Sequence, residues 1–145
     1  MKSKLFAPPR SILDFNSWYR AHEVLLLRIA VGVVFIWFGS LKILDMSPVM
    51  KMLASSFPFL AAPPGLILLG IFEVILGVGL LVPATARLAA ALTVLHLIGT
   101  FSLFLIAPSV LFHPSFPIVT FEGEFVVKNI VLITALLAIF TRQNS

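Results

Sequence analysis

The stretch GLILLGIFEVILGVGLLV, residues 65–82, decides the fold, because it is apolar over its whole length except for one carboxylate, Glu73. About 20 apolar residues are enough for a helix to cross the hydrocarbon core of a bilayer. A charged group at that depth costs about 2.5–3.5 kcal/mol on insertion scales, so it is generally paired or functional. The stretch therefore predicts a membrane-spanning helix, and Glu73 marks a candidate site within it.

Three further apolar segments lie along the chain, and each also carries an ionisable residue. The first contains Arg28, the third His96 and the fourth Lys128. Open sheets cannot satisfy their backbone groups in lipid, and the segments lack the alternation of barrel strands, so all four are predicted to be helices. The predicted spans cover about residues 24–44, 66–82, 88–107 and 125–140.

The composition predicts an integral membrane protein with little mass outside the bilayer. Of the 145 residues, 60% are hydrophobic and only 11% are charged, whereas soluble domains carry about 25% charged residues. The absence of cysteine excludes disulfides and thiolate-held iron–sulfur clusters. The expected fold is all-α, a membrane four-helix bundle that forms one domain over residues 1–145. The leader, residues 1–22, is expected to be either an interfacial helix or an ordered lead-in to the first span.

The distribution of basic residues predicts the orientation of the bundle. Those in the leader, the second connection and the tail all fall on one side: Lys2, Lys4, Arg10, Arg20, Arg87 and Arg142. The third connection is acidic through Glu122 and Glu124. By the positive-inside rule, both termini are predicted to be cytoplasmic. The outer connections, residues 45–64 and 108–124, are rich in Pro and Phe and are expected to lie in the outer interface or fold back over the bundle.

Helical spacing places the polar residues of each span on a face shared with small residues or other polar groups. The faces of the first two spans are Arg28, Gly32, Phe35, Gly39 and Lys42, then Gly70, Glu73 and Gly77. Those of the last two are Thr93, His96 and Thr100, then Glu124, Lys128, Leu132 and Ala135. Glycines allow neighbouring backbones to approach closely, so these faces are expected to point into the bundle.

Estimated depths divide the ionisable residues into two predicted clusters. The inner cluster contains Arg28, Glu73 and His96. A buried Arg28–Glu73 ion pair would fix helix register without chemistry. The alternative is a head-group pocket or proton path, in which His96 and Glu73 exchange protons.

The outer cluster contains Lys42, Glu124 and Lys128. Its two ammonium groups share one carboxylate, which favours a quinone carbonyl or a lipid phosphate as a guest. Three residues of the third connection would cap that guest, namely Phe116, Pro117 and Phe121. The alternative is that both lysines extend to outer head groups and bind nothing specific.

The sequence predicts no metal site and no catalytic residue. His96 and His113 lie on different elements, and no His or Glu cluster has ligand spacing. No nucleophile elbow, phosphate-binding loop or dinucleotide fingerprint is present. The net charge of +4 does not indicate nucleic-acid binding.

Three segments resemble the DoxX superfamily of small bacterial membrane proteins: LRIAVGVVFIWFGSLKI, FEVILGVGLLVP and FPIVTFEGEFVVKNIVLITA. The matched positions are Arg28, Trp37, Gly39, Lys42, Glu73, Gly77, Gly123, Lys128 and Asn129. The chain is most similar to the RclC-type branch, although its outer loops are shorter. The resemblance implies a multi-pass protein of the bacterial inner membrane. It also implies a link with quinone-coupled sulfur oxidation or with resistance to reactive chlorine species.

The sequence thus predicts a quinone- or lipid-interacting membrane subunit of a redox or oxidative-stress system, and not an enzyme on its own. The alternatives are a non-catalytic anchor subunit of a larger complex and a small oligomeric transporter. The expected partners are membrane lipids, together with copies of this chain or other subunits, and no covalent cofactor is expected. The candidate polar cluster comprises Arg28, Lys42, Glu73, His96, Glu124, Lys128 and Asn129.

Overall fold

A computed structural model describes residues 11–47, 49–62 and 64–142, and helices account for about four fifths of these residues. The basic residues Lys2, Lys4 and Arg10 of the leader lie outside the described residues. The described parts contain one isolated bridge, between Phe112 and Val119, and no β-strand. The helices are α1 Ile12–Ile43, α2 Met50–Ser56, α3 Pro58–Ala61, α4 Gly65–Leu81, α5 Ala86–Thr100, α6 Leu103–Ile106, α7 Pro108–Leu111 and α8 Phe121–Arg142.

The lengths of the helices set which of them can cross a membrane. Within the described residues, three segments are long and apolar enough: α1, α5 continued through α6, and α8. Helix α4 is apolar but has only 17 residues. Helix α1 begins well before the predicted first span, where the Ser11 hydroxyl accepts a hydrogen bond from the Asp14 amide at 3.1 Å and caps the helix. Residues 12–23 and the predicted first span therefore form one continuous helix.

Close approach of two glycine pairs determines how α1 and α4 pack. A methyl group added at Gly39 would lie 2.7 Å from the carbonyl oxygen of Gly70, and one added at Gly77 would lie 2.7 Å from that of Gly32. Real Cβ atoms do not come this close to backbone oxygens, so the two helices touch through their main chains. The predicted glycine-mediated approach is confirmed, and the pairs set an antiparallel register between α1 and α4.

The remaining long helices complete the packing. Helix α1 also contacts α8, and α5 contacts both α4 and α8. One hydrophobic cluster lies toward the C-terminal ends of α4 and α8 and includes Leu80, Ala90, Leu136 and Ile139. At the same end of the molecule, the Arg142 guanidinium forms an ion pair with the Glu23 carboxylate and joins α8 to α1.

The short helices gather at the opposite end, where they fold over the long ones. Residues from α2, α6 and α7 form a second hydrophobic cluster with the starts of α4 and α8, including Leu53, Leu66, Leu103, Leu111 and Val126. The third predicted span, residues 88–107, is confirmed as a membrane-length segment, Ala86–Ile106, in which two turn residues, Phe101 and Ser102, break the α-helix between α5 and α6. The Ser102 hydroxyl accounts for part of this break, since it bonds the Gly99 carbonyl at 2.7 Å.

Candidate functional site

Two ionisable side chains, from α1 and α5, meet on one carboxylate of α4. The Lys42 ammonium of α1 lies 2.6 Å from Glu73 Oε2 of α4, and His96 Nε2 of α5 lies 3.1 Å from Glu73 Oε1. The Lys42 and Glu73 side chains are only 7% and 9% exposed. Both carboxylate oxygens are thus engaged, which is the condition under which a buried charge is tolerated.

Aromatic rings hold the imidazole of His96 in place. The rings of Phe35 on α1 and Phe72 on α4 approach it edge-on, with centroid distances of 6.2 and 5.6 Å. The imidazole is thus packed on two sides by aromatic rings while its Nε2 atom meets Glu73. His96 is therefore positioned as a proton donor or acceptor next to a carboxylate.

The cluster borders a cavity of about 390 Å³ between α1 and α8. Ligand pockets generally measure about 300–1,000 Å³ and combine apolar walls with a few polar groups, and this cavity has both features. Its lining residues are Val34, Phe35, Phe38, Lys42, Glu73, His96, Leu97, Thr100, Phe125, Lys128, Asn129, Val131 and Leu132.

A second polar contact lies on the α5–α8 side of the same cavity. The buried carboxamide of Asn129 donates from Nδ2 to Thr100 Oγ1 at 2.9 Å, and that hydroxyl donates to the Leu97 carbonyl at 2.6 Å. The cavity therefore offers an amide group in addition to the ammonium, carboxylate and imidazole groups.

The predicted outer cluster does not form as expected. Lys42 pairs with Glu73 and not with Glu124. Lys128 bonds Glu124 at 2.8 Å within α8, and its side chain is 72% exposed although it also borders the cavity. The predicted cap is also wrong, because Phe116, Pro117 and Phe121 are exposed and are not among the lining residues.

The predicted Arg28–Glu73 ion pair is wrong as well. The Arg28 guanidinium donates from Nε to the Leu80 carbonyl at 2.8 Å and from Nη2 to the Leu81 carbonyl at 2.7 Å. These carbonyls belong to the last turn of α4, which has no partners within its own helix. Arg28 thus caps the negative end of the α4 dipole, and it belongs to the scaffold of the site.

The capping role of Arg28 predicts a measurable loss of stability. We expect Arg28→Leu to lower the free energy of unfolding by about 1.5–3 kcal/mol, because hydrogen bonds from a charged donor are lost. Thermal unfolding in detergent, followed by circular dichroism, measures this change. Arg20→Leu, at an exposed arginine of the same helix, is the control. Equal melting temperatures of the two variants would contradict the capping role.

Two cavity residues, Phe38 and Phe125, were not singled out from the sequence. Each lies four residues before a polar lining residue, Phe38 before Lys42 and Phe125 before Asn129. This spacing places each phenylalanine on the same helix face as its polar neighbour. The helical spacing in the sequence could therefore have indicated both residues. Among the residues that the structure describes, no group of three His, Asp or Glu side chains is arranged to hold a metal ion.

The fold and the site define the class of protein. The long apolar helices make the chain a helical membrane protein, with an ionisable cluster among its helices. A family model described as DoxX matches residues 23–113, more than half of the chain, and the chain belongs to the DoxX family. The match contains Arg28, Lys42, Glu73 and His96 but ends before α8 and Asn129. No curated protein and no solved structure matches the chain.

Proposed function

We propose that this protein binds a quinone in the cavity between α1 and α8 and serves as a membrane subunit of a redox or oxidative-stress system. The observation that carries the proposal is the cavity itself, in which aromatic walls surround the Lys42–Glu73–His96 cluster. Phe35, Phe38 and Phe125 offer faces and edges for a flat ring. Membership of the DoxX family agrees with a membrane role.

The polar groups of the cavity suit the two ends of a quinone ring. A quinone carbonyl accepts hydrogen bonds, which Lys42 and His96 can donate at one end and Asn129 at the other. Reduction of the ring also requires protons, and the His96–Glu73 contact at 3.1 Å forms a short path for them. In this proposal the chain holds the ring and exchanges protons, and a partner subunit supplies the electrons.

Quinone binding is tested with the purified protein in lipid nanodiscs, by calorimetric titration with a short-tailed benzoquinone. We expect His96→Leu to weaken binding about tenfold, a loss of about 1.4 kcal/mol, because a hydrogen-bond donor in a low-dielectric site is removed. Thr134→Val is the matched control, since this exposed hydroxyl of α8 bonds only the Ile130 carbonyl of its own helix. The proposal fails if the unmodified protein binds no quinone, or if His96→Leu binds it as tightly.

A second candidate function is a non-catalytic anchor subunit of a larger complex. It is favoured by the start of α1, where Ile12, Leu13 and Phe15 are exposed although they are large and apolar. Exposed apolar side chains of this kind are suited to a protein partner or a membrane surface. Native mass spectrometry from mild detergent distinguishes the two candidate functions. An anchor subunit would keep a partner subunit bound, and His96→Leu would not release that partner.

The topology forms part of the same proposal. We propose that α4 crosses the membrane together with the three longer segments, so that a four-helix bundle spans the bacterial inner membrane and both termini are cytoplasmic. The support is the basic side defined by Arg20, Arg87 and Arg142. We also propose that, within the DoxX superfamily, the chain is most similar to the RclC-type branch.

A reporter fusion at the C-terminus tests the orientation. We expect an enzyme that is active only in the cytoplasm to be active when fused after the last residue, and one that needs the periplasm to be inactive there. The same reporters placed between α2 and α4 should give the reverse pattern. Periplasmic activity at the C-terminus would overturn the proposed orientation.

A further inference from the structure

The cavity is enclosed at its base and exposed along one side. Its base is formed by Glu73 on α4 and by His96, Leu97 and Thr100 on α5. Its sides are formed by α1, whose lining residues are buried or half-buried, and by α8, along which the exposed fraction of the lining residues rises. The Glu73 side chain is 9% exposed, whereas Val131 of α8 is 70% exposed. The outward side of the cavity therefore lies in the gap between α1 and α8.

Packed apolar side chains close the cavity along the helix axes. On one side lies the cluster of Leu80, Ala90, Leu136 and Ile139. On the other side, the rings of Phe38 and Phe125 meet edge to face at 5.7 Å and join α1 to α8, and Phe125 also packs against the second hydrophobic cluster. A ligand that arrived from the water on either side of the membrane would have to pass through one of these packed clusters.

We propose that the ligand enters sideways from the bilayer, between α1 and α8, and that its hydrocarbon tail stays in this gap while its polar head reaches the Lys42–Glu73–His96 cluster. The inference rests on the proposed function and narrows its ligand class to membrane-dissolved amphiphiles with a flat polar head. Val34 of α1 and Val131 of α8 form the two lips of the gap. Both are apolar, which suits contact with lipid chains and with a tail of the same chemistry.

The gap also explains why the exposed Lys128 borders a largely apolar cavity. Lys128 lies on the lip one turn from Val131, with its ammonium held by Glu124 of the same helix. Its long aliphatic stem adds apolar surface to the lip, while its charge stays outside the cavity. The charged groups that meet the ligand head are then Lys42 and Glu73, and Lys128 contacts only the tail or the neighbouring lipid.

The test uses two quinones with the same ring, one with an isoprenoid tail and one with a methyl group in its place, titrated into the protein in nanodiscs. We expect Val131→Trp and Val34→Trp each to weaken binding of the tailed quinone about tenfold, because the added bulk occupies the path of the tail. The tail-free ring should lose several-fold less affinity than the tailed quinone in the same variants, because it binds against Lys42, Glu73 and His96 at the base of the cavity. Ile130→Trp is the matched control, because Ile130 is exposed on α8 but does not line the cavity.

The outcomes separate this inference from the proposed function. If the tailed quinone binds the two lip variants as tightly as the Ile130→Trp protein, the sideways route is wrong although quinone binding stands. Equal loss of both quinones in the lip variants also overturns the route, because the tail would then not be the part that meets the lips. If neither quinone binds the unmodified protein, the proposed function fails and the route fails with it.

Discussion

Glu73→Gln is expected to lower the free energy of unfolding by about 3–5 kcal/mol, because it leaves the buried Lys42 ammonium without a counter-charge. The pair is short, at 2.6 Å, and both side chains are almost fully buried. Lys42→Met should cost less than Glu73→Gln, since His96 still contacts the carboxylate after the lysine is removed. The double variant Lys42→Met/Glu73→Gln should recover much of the loss, because neither charge is then left unpaired.

Thermal unfolding of the two single variants and the double variant in detergent measures the coupling. Lys128→Met is the control, since its exposed ion pair with Glu124 should contribute little to stability. A second cycle pairs Arg28→Gln with Glu73→Gln, and its effects should add because the two residues have separate partners. Additive losses in the Lys42–Glu73 cycle would show that this ion pair does not hold the helices together.

Adding a single methyl group at the contact of α1 and α4 should also destabilise the protein. We expect Gly39→Ala and Gly77→Ala each to cost about 1–3 kcal/mol, because the new Cβ atoms would lie 2.7 Å from the carbonyl oxygens of Gly70 and Gly32. Backbone atoms cannot rotate away as a flexible side chain can. The two helices would have to separate, and the Lys42–Glu73 pair that bridges them would lengthen.

The sign of the stability change caused by a Gly→Ala substitution distinguishes a glycine at this contact from an ordinary helical glycine. Gly99→Ala is the matched control, because nothing lies within 4 Å of the position where its Cβ would be built. That change should stabilise the protein by about 0.5–1 kcal/mol through helix propensity alone. Melting curves for the three variants test the difference, and a Gly39→Ala protein that melts as high as Gly99→Ala would exclude the close approach.

Periodicity along the sequence predicted which side chains of α1, α4 and α5 face inward. The predicted inward face of α8 was wrong, because Glu124 and Lys128 are exposed and the buried face carries Val126, Asn129 and Leu136 instead. The face containing Gly32, Gly39 and Lys42 does meet α4, and Glu73 does lie among the helices with His96 beside it. These predictions needed only the helical repeat and the cost of burying polar groups in lipid. Asn129 was placed at the site only by the family resemblance, and it lies on the wall of the same cavity.

The depth of each residue in the membrane could not be predicted from periodicity. For this reason Arg28 was wrongly predicted to pair with Glu73. Depth was counted from the ends of the apolar segments, which differ from the true helix ends. The register comes instead from Gly32 opposite Gly77 and Gly39 opposite Gly70. Arg28 lies one turn before Gly32, so it falls opposite Leu81, one turn after Gly77, where it caps α4. Aligning the glycines would have recovered this contact.

The short length of α4 has a consequence for the lipid around the protein. At about 1.5 Å per residue, its 17 residues extend about 26 Å, whereas the hydrocarbon core of a typical bilayer is about 30 Å thick. Helix α1, with 32 residues, extends about 48 Å. In the proposed topology, in which α4 crosses the membrane, lipids that border it would have to shorten or tilt to cover it, and its Arg28-capped end would draw head groups inward. Thinner membranes should therefore accommodate this protein with less hydrophobic mismatch than thick, sterol-rich ones.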